Sequence, residues 1–290
     1  LLWHCNKMIT GKNVNKIIVV IILPVLILCS IPAMAKDEAA SKEQQKESAS
    51  LWNYKKFLLD ENGKWSVGVG TIVRNSPFKG EKIDAFPIPI IDYSSKNLFI
   101  RELKAGYHIQ KVKNPYKGGF FFDTYLGARM RPGASRRKFS VDGGLRGGYQ
   151  HPFGAVAASF TQDITGIHGG KEASLSYSIT FPNQKKNSLI IPRLTVTWQD
   201  NKLANHLWGI SQETTNKMIE NNDDVILQPY PIKQSVINYS AGIIHIYKIG
   251  EHWNNIIGAQ IAILDQKILK NPAIERQLDY SFIYGLAYTF

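Results

Sequence analysis

The last eleven residues, YSFIYGLAYTF (280–290), decide the fold. Tyr280, Phe282, Tyr284, Leu286, Tyr288 and Phe290 fall on one parity, and Ser281, Gly285, Ala287 and Thr289 on the other. A period of two belongs to an extended strand with one apolar face, whereas a helix would scatter the same residues around its axis. The pattern recurs in WSVGVGTIVR (65–74), SVDGGLRGGYQ (140–150), SLSYSITF (174–181) and IIPRLTVTWQ (190–199). In these stretches the second face carries Gly, Ser, Thr and whole charges.

Such strands suit either a sandwich that hides its apolar face or a membrane barrel that shows it to lipid. Three features favour the barrel. The segments are about ten residues long, the length a tilted spanning strand needs. Aromatic residues gather at segment ends, where interfacial girdles lie: Trp65, Tyr93, Phe120, Tyr149, Phe181, Trp198, Trp253, Tyr280 and Phe290. Asp123, Arg129, Asp142, Arg146 and Arg193 sit on the polar parity and fit a wet lumen.

Strands are expected near 65–74, 83–93, 97–102, 104–110, 118–131, 139–150, 154–162, 171–181, 188–199, 235–247, 253–265 and 279–290. Twelve is even, as barrels of this class require, and it places the long stretch 200–234 outside as an external loop. Reading 97–110 as one strand gives ten, the alternative. The fold class is therefore all-β, a transmembrane antiparallel β-barrel over 65–290.

The first 35 residues read differently. Lys12 and Lys16 precede the apolar run Ile17–Cys29, and Ala33-Met34-Ala35 follows it. That layout is a secretory signal peptide, expected to be cleaved after Ala35. The fifteen residues Ile17–Ile31, with Pro24 inside, are too short for a spanning helix, which needs about twenty. Residues 36–64 form a polar periplasmic leader with an apolar patch at Leu51, Trp52, Tyr54 and Phe57.

The chain has 35 Lys and Arg against 23 Asp and Glu, a net charge of +12, with 44% hydrophobic residues and a mean hydropathy of −0.18. The signal peptide carries three lysines and no acid, which leaves 32 bases against 23 acids, or +9. Both cysteines, Cys5 and Cys29, leave with it, so no disulfide or thiolate metal site is expected. The remaining charge lies in loops and on the lumen parity and is not an argument for nucleic acid. Arg131, Arg136, Arg137 and Lys138, beside Arg129, form the densest basic run in an external loop. Lipopolysaccharide phosphates are the natural anions there, since Arg binds them with two parallel bonds. Asp123 and Asp142 are expected to pair with Arg129, Arg146 and Arg193 across strands.

No nucleophile-elbow, zincin or phosphate-loop motif occurs, and neither catalytic residues nor a cofactor are expected. His168, near Asp163 and Thr165 in a Gly-rich loop, reads as turn chemistry, and Glu220, Asp223 and Asp224 as a solvated acidic loop. Tyr288 and the terminal Phe290 form the signature read by the outer-membrane assembly machinery.

Several stretches resemble the MltA-interacting protein (MipA)/OmpV family: WSVGVGTIVRNSPFKG and IDAFPIPIIDY near the start, DITGIHGGKEASLSYSI and PRLTVTWQDNKLANHLWGIS in the middle, and NPAIERQLDYSFIYGLAYTF at the end. Two departures are Asn271-Pro272 where Ser-Pro is common, and Leu207-Trp208 before Gly209 in place of an aromatic pair. The resemblance implies a non-enzymatic outer-membrane barrel acting as a scaffold between a lytic murein transglycosylase and a penicillin-binding protein. A small-solute channel is the alternative, and a barrel that hydrolyses lipid is a third.

Overall fold

The computed structural model describes residues 63–81, 83–112, 114, 117–129, 139–183 and 187–290. The expected signal peptide, all but the last two residues of the leader, and the basic run 131–138 lie outside them.

The described chain forms thirteen antiparallel strands. They are β1 (Lys64–Arg74), β2 (Asp84–Ser94), β3 (Leu98–Arg101), β4 (Lys104–Gln110), β5 (Gly119–Arg129), β6 (Ser140–His151), β7 (Gly154–Asp163), β8 (Lys171–Ile179), β9 (Phe181–Asn183), β10 (Ser188–Gln199), β11 (Val236–Ile249), β12 (Trp253–Ile263) and β13 (Leu278–Thr289). β8 and β9 both pair with β10 and are one stave interrupted at Thr180, so the wall has twelve staves. Each stave pairs with its neighbours in sequence, β10 pairs with β11, and β13 pairs with β1 from Ser66↔Thr289 to Arg74↔Ser281. The sheet therefore closes on itself and has no free lateral edge at the chain ends.

The expected twelve-strand barrel is what the chain builds, and 97–110 is a hairpin rather than one strand. Glu102 at φ 56° makes its tight tip.

The parity of the sequence is the parity of the wall. Val67, Val69, Phe282 and Tyr284 face outward and stay exposed, Val69 at 73%. Ser66, Gly68, Gly70, Ala287 and Thr289 face the lumen. At the end that carries the barrel's termini, ring pairs form a collar. Trp65 and Tyr93 lie 4.6 Å apart, and Phe120–Tyr149, Trp253–Tyr288 and Tyr288–Phe290 each 5.1 Å. Amphipathic rings at one level mark a membrane interface.

The opposite end departs from expectation. The stretch after β10 is no plain loop but folds into α1 (Asn201–Trp208) and α2 (Gln212–Glu220), with α3 (Gln266–Leu269) between β12 and β13. Asp200, Ser211 and Asp265 accept backbone N–H bonds from Leu203, Thr214 and Lys267, the usual N-cap bond at each helix start. Leu203, Ala204, Leu207 and Trp208 share one buried face of α1, at the i, i+4 spacing a helix needs. They pack with Phe78 from the β1–β2 loop, Leu264 and Ile268 into a second apolar core outside the barrel wall. Short bridges pin it, Ile210 to Tyr230 and Phe78 to Ile274. Glu220, Asp223 and Asp224 stay exposed on its surface, as a solvated acidic stretch should.

Trp208 is the keystone of this cap. It is 5% exposed, stacks on Phe78 at 6.5 Å, donates its Nε1–H to Gln199 Oε1 at 3.2 Å, and accepts from Asn271 Nδ2 at 2.8 Å through its carbonyl. Trp208→Ala is expected to loosen the cap by about 3–5 kcal/mol, the usual range for emptying a buried indole site. Limited proteolysis of the purified protein should then cut within 200–235 while the barrel stays intact. Cleavage at the wild-type rate would show that the indole does not hold the cap.

Candidate functional site

The lumen wall has two halves. Residues facing inward from β4 to β10 are mostly polar, while those from β11 through β13, β1 and β2 include many apolar side chains. Chemistry therefore concentrates on the first half, at its long-loop rim.

Arg129 closes β5 and Asp142 lies near the start of β6, and the register Gly127↔Asp142 brings them to the same side of the wall. Arg129 Nε donates to Asp142 Oδ2 at 2.6 Å. Its two terminal nitrogens donate to Glu172 Oε2 at 3.2 Å and Oε1 at 3.3 Å, a bidentate grip reaching from β5 to β8. Glu172 Oε2 also accepts from Gln199 Nε2 at 3.0 Å. Gln199 Oε1 accepts from Trp208 Nε1 and from Asn238 Nδ2, at 3.2 and 3.4 Å. The chain of bonds thus runs from β5 around the rim to β11 and up into the cap.

A second cluster sits beside it. Asp163 takes four bonds from its own loop: Thr165 N at 2.8 Å, Thr165 Oγ1 at 2.6 Å, and the N–H groups of His168 and Gly169 at 2.7 Å each. Gly169, at φ 59°, supplies the left-handed turn this wrapping needs. Gly170 N–H donates to His168 Nδ1 at 3.0 Å, so Nδ1 is the acceptor nitrogen and Nε2 carries the proton. That proton is given to Asp142 Oδ1 at 3.1 Å. Asp142, Asp163 and His168 bring three metal-ligating atoms within 4.8 Å. Every one of those atoms is already engaged, by Arg129, by the loop amides or by each other. What the arrangement does is clamp the β7–β8 loop to the barrel rim, the turn role expected of Asp163 and His168.

The other expected lumen charges are placed as follows. Asp123 accepts from His108 Nδ1 at 2.6 Å and is registered opposite Arg146. Arg146 lays its guanidinium over the Phe121 ring at 5.0 Å. Arg193 is exposed within the lumen and has no ion-pair partner among the described residues. Arg129, grouped with the basic run as a lipopolysaccharide ligand, turns all three of its nitrogens to Asp142, Glu172 and Thr161 inside the wall. Its partners in that grouping, Arg131, Arg136, Arg137 and Lys138, lie outside the described residues. Tyr288 stacks in the aromatic collar and Phe290 N–H donates to Trp65 O at 3.0 Å, joining the last residue to the first strand.

Glu172, Gln199, His108 and the Arg74–Asp279 pair carry no motif that singles them out in the sequence. Parity is the available clue, since each is a polar residue on the inward count of its strand.

The family described as MltA-interacting protein MipA matches residues 67–290. Among relatives, "Putative outer membrane protein YiaT" of Escherichia coli O157:H7 is 22% identical over 235 residues, covering 78% of this chain and 90% of that protein. The "MltA-interacting protein" of Escherichia coli K12 is 20% identical over 237 residues, covering 79% and 91%. Among solved structures, the N-terminal barrel domain of Pseudomonas aeruginosa OprF has 11% identity and a TM-score of 0.27, covering 60% of this chain and 98% of that one. A superposition that weak carries no argument, and the barrel stands on its own closed sheet. With a family match over that span, on a closed wall with a lipid-facing belt, the chain belongs to the MltA-interacting protein MipA family and is an outer-membrane β-barrel.

Proposed function

We propose that this barrel is a scaffold, not an enzyme, and that it ties the outer membrane to murein-processing machinery. The observation that carries the reading is family membership together with the relative whose printed name is MltA-interacting protein, aligned over 79% of this chain. The lumen chemistry is consistent with it. The buried carboxylates and imidazoles of the rim are bonded to each other, and His168 has an aspartate on one nitrogen and a backbone amide on the other. No hydroxyl nucleophile lies within bonding reach of either nitrogen among the described residues. A murein transglycosylase and a penicillin-binding protein are the partners this reading names, and the leader 36–64 is their docking segment. The assembly machinery would read Tyr288 and Phe290.

In-cell crosslinking followed by partner identification tests this. The full chain is expected to capture a murein transglycosylase, and deletion of residues 36–60 to reduce that capture at least tenfold. Capture without any murein enzyme would sink the scaffold reading. Undiminished capture after the deletion would move the docking site to the barrel's short turns.

One observation favours a second reading, a small-solute channel. Arg193 stands exposed in the lumen without an ion-pair partner among the described residues. Planar-bilayer recording of the purified protein separates the two, since a scaffold needs no conductance.

A further inference from the structure

The closed wall is thinly paired at one seam, between β2 and β3. β2 runs eleven residues and pairs with β1 along its whole length, from Lys64↔Ser94 to Arg74↔Asp84. On its other side it pairs with β3 at only three residues, Asp92, Tyr93 and Ser94. The β3–β4 hairpin then turns at Glu102 and Leu103 and climbs to β5, where Lys104 meets Gly127. Among the described residues, 85–91 of β2 therefore face a notch with no strand beside them. At about 3.3 Å per residue the open edge is roughly 23 Å long.

The sequence keeps this edge open. Ser95 N–H donates to Leu98 O at 2.8 Å, so odd-numbered residues of β2 aim their backbone groups at β3 and even-numbered ones at β1. Pro87 and Pro89 are odd. Each lacks the N–H that a neighbouring strand would accept from, and both missing donors fall on the notch side. The two prolines sit where they cost no bond to β1 and where they forbid a strand partner. Over 87–89 the edge offers carbonyl oxygens alone, which excludes strand addition as its purpose.

Behind the notch the lumen is apolar. Phe86, Ile88 and Ile90 share the inward parity of β2 with Ile72 of β1 and Ile283 of β13. Ile90 lies across glycine seats, since a Cβ on Gly285 would come within 2.3 Å of its Cδ1 and one on Gly70 within 3.2 Å. In front of the notch Pro87, Pro89 and Ile91 continue the exposed belt of Val67 and Val69, which faces hydrocarbon. Apolar side chains thus flank the β2 edge on both sides, the membrane face and the lumen wall, with the edge carbonyls between them. An open strand edge at membrane depth is tolerated only where its carbonyls meet water or other donors.

We infer that the notch beside β2 is a lateral portal, through which the acyl chain of a membrane lipid reaches the apolar lumen wall at Phe86, Ile88 and Ile90. The lipid-facing belt beside it names the occupant, and the edge over 87–89, which has no donor, leaves carbonyls for a lipid's hydroxyl or amide head, or for water, to satisfy.

The test uses the full chain with Cys5 and Cys29 changed to serine, carrying one cysteine labelled with an environment-sensitive fluorophore, in phosphatidylcholine vesicles with bromine on the acyl chains. Three sites are compared: Val69→Cys on the lipid face, Ser176→Cys in the lumen on the far wall, and Ile88→Cys in the lumen behind the notch. Bromine is expected to quench the Ile88 probe at least threefold more than the Ser176 probe and to at least half the extent at Val69. Quenching at Ile88 no greater than at Ser176 would overturn the portal. Heat-modifiable migration confirms that each variant is folded, and Ile90→Cys replaces Ile88→Cys if that one fails to fold.

Discussion

Arg129→Ala is expected to destabilise the barrel by about 3–5 kcal/mol, read as a fall in the urea midpoint of the purified protein in lipid vesicles. Arg129 holds Asp142 at 2.6 Å and both oxygens of Glu172 at 3.2 and 3.3 Å. Asp142 is 4% exposed and, among the described residues, keeps only His168 once the guanidinium is gone. Two carboxylates then face each other on one wall with no cation among the described residues between them. The cost comes from charges left behind more than from the bonds lost, so the second change discriminates. Arg129→Lys restores the charge but not the planar fork, which alone reaches both acids. It should recover part of the loss. A change of less than about 1 kcal/mol in Arg129→Ala would mean that water in the lumen already screens the group as it screens a surface pair.

Gly68→Val is expected to abolish most folded barrel, measured as loss of the heat-modifiable form in the outer-membrane fraction. A Cβ at Gly68 would lie 2.1 Å from Leu286 O and 2.5 Å from Ala287 Cα. Both are backbone atoms of β13, the strand that closes the sheet on β1. Neither atom can swing aside as a side-chain tip would, so β1 and β13 must part where the first and last staves meet. Glycine inside a strand marks such a close approach of another backbone. Val69→Ala is the control on the adjacent, lipid-facing position and should leave assembly almost unchanged. Normal assembly of Gly68→Val would show that the seam tolerates displacement.

The two predictions differ in how far the sequence points to them. Gly68 and Gly70 alternate with Val67 and Val69 in one short run, so their inward direction is legible in the order of residues alone. Arg129 is legible as a lumen charge, yet it also adjoins the basic run that follows it and groups with that run by proximity. Parity places a side chain on a face but does not say which strand delivers its partner. Glu172 lies 43 residues further on and comes to Arg129 only across two intervening staves, β6 and β7, and through their tilt. The helices within 201–220 escape a reading by strand parity, which treats the stretch as a long connection. The i, i+4 spacing of Leu203 and Leu207 is present, but the apolar partners at Phe78 and Ile268 lie far away in the chain.

The sequence by itself determined the period, the faces and an even count of staves, twelve or ten, and the structure settled twelve by folding 97–110 as a hairpin. Those properties are local: strand alternation repeats every two residues, and an even count follows when both ends of the barrel leave from the same side. Only the tertiary structure decided which charges meet, that the long stretch beyond β10 packs as a cap with its own core, and that Pro87 and Pro89 line an open edge. Those depend on register and shear, which are set by all twelve staves closing at once. A proline pair reads the same in an edge strand as in a loop until the neighbour it forbids is seen to be missing.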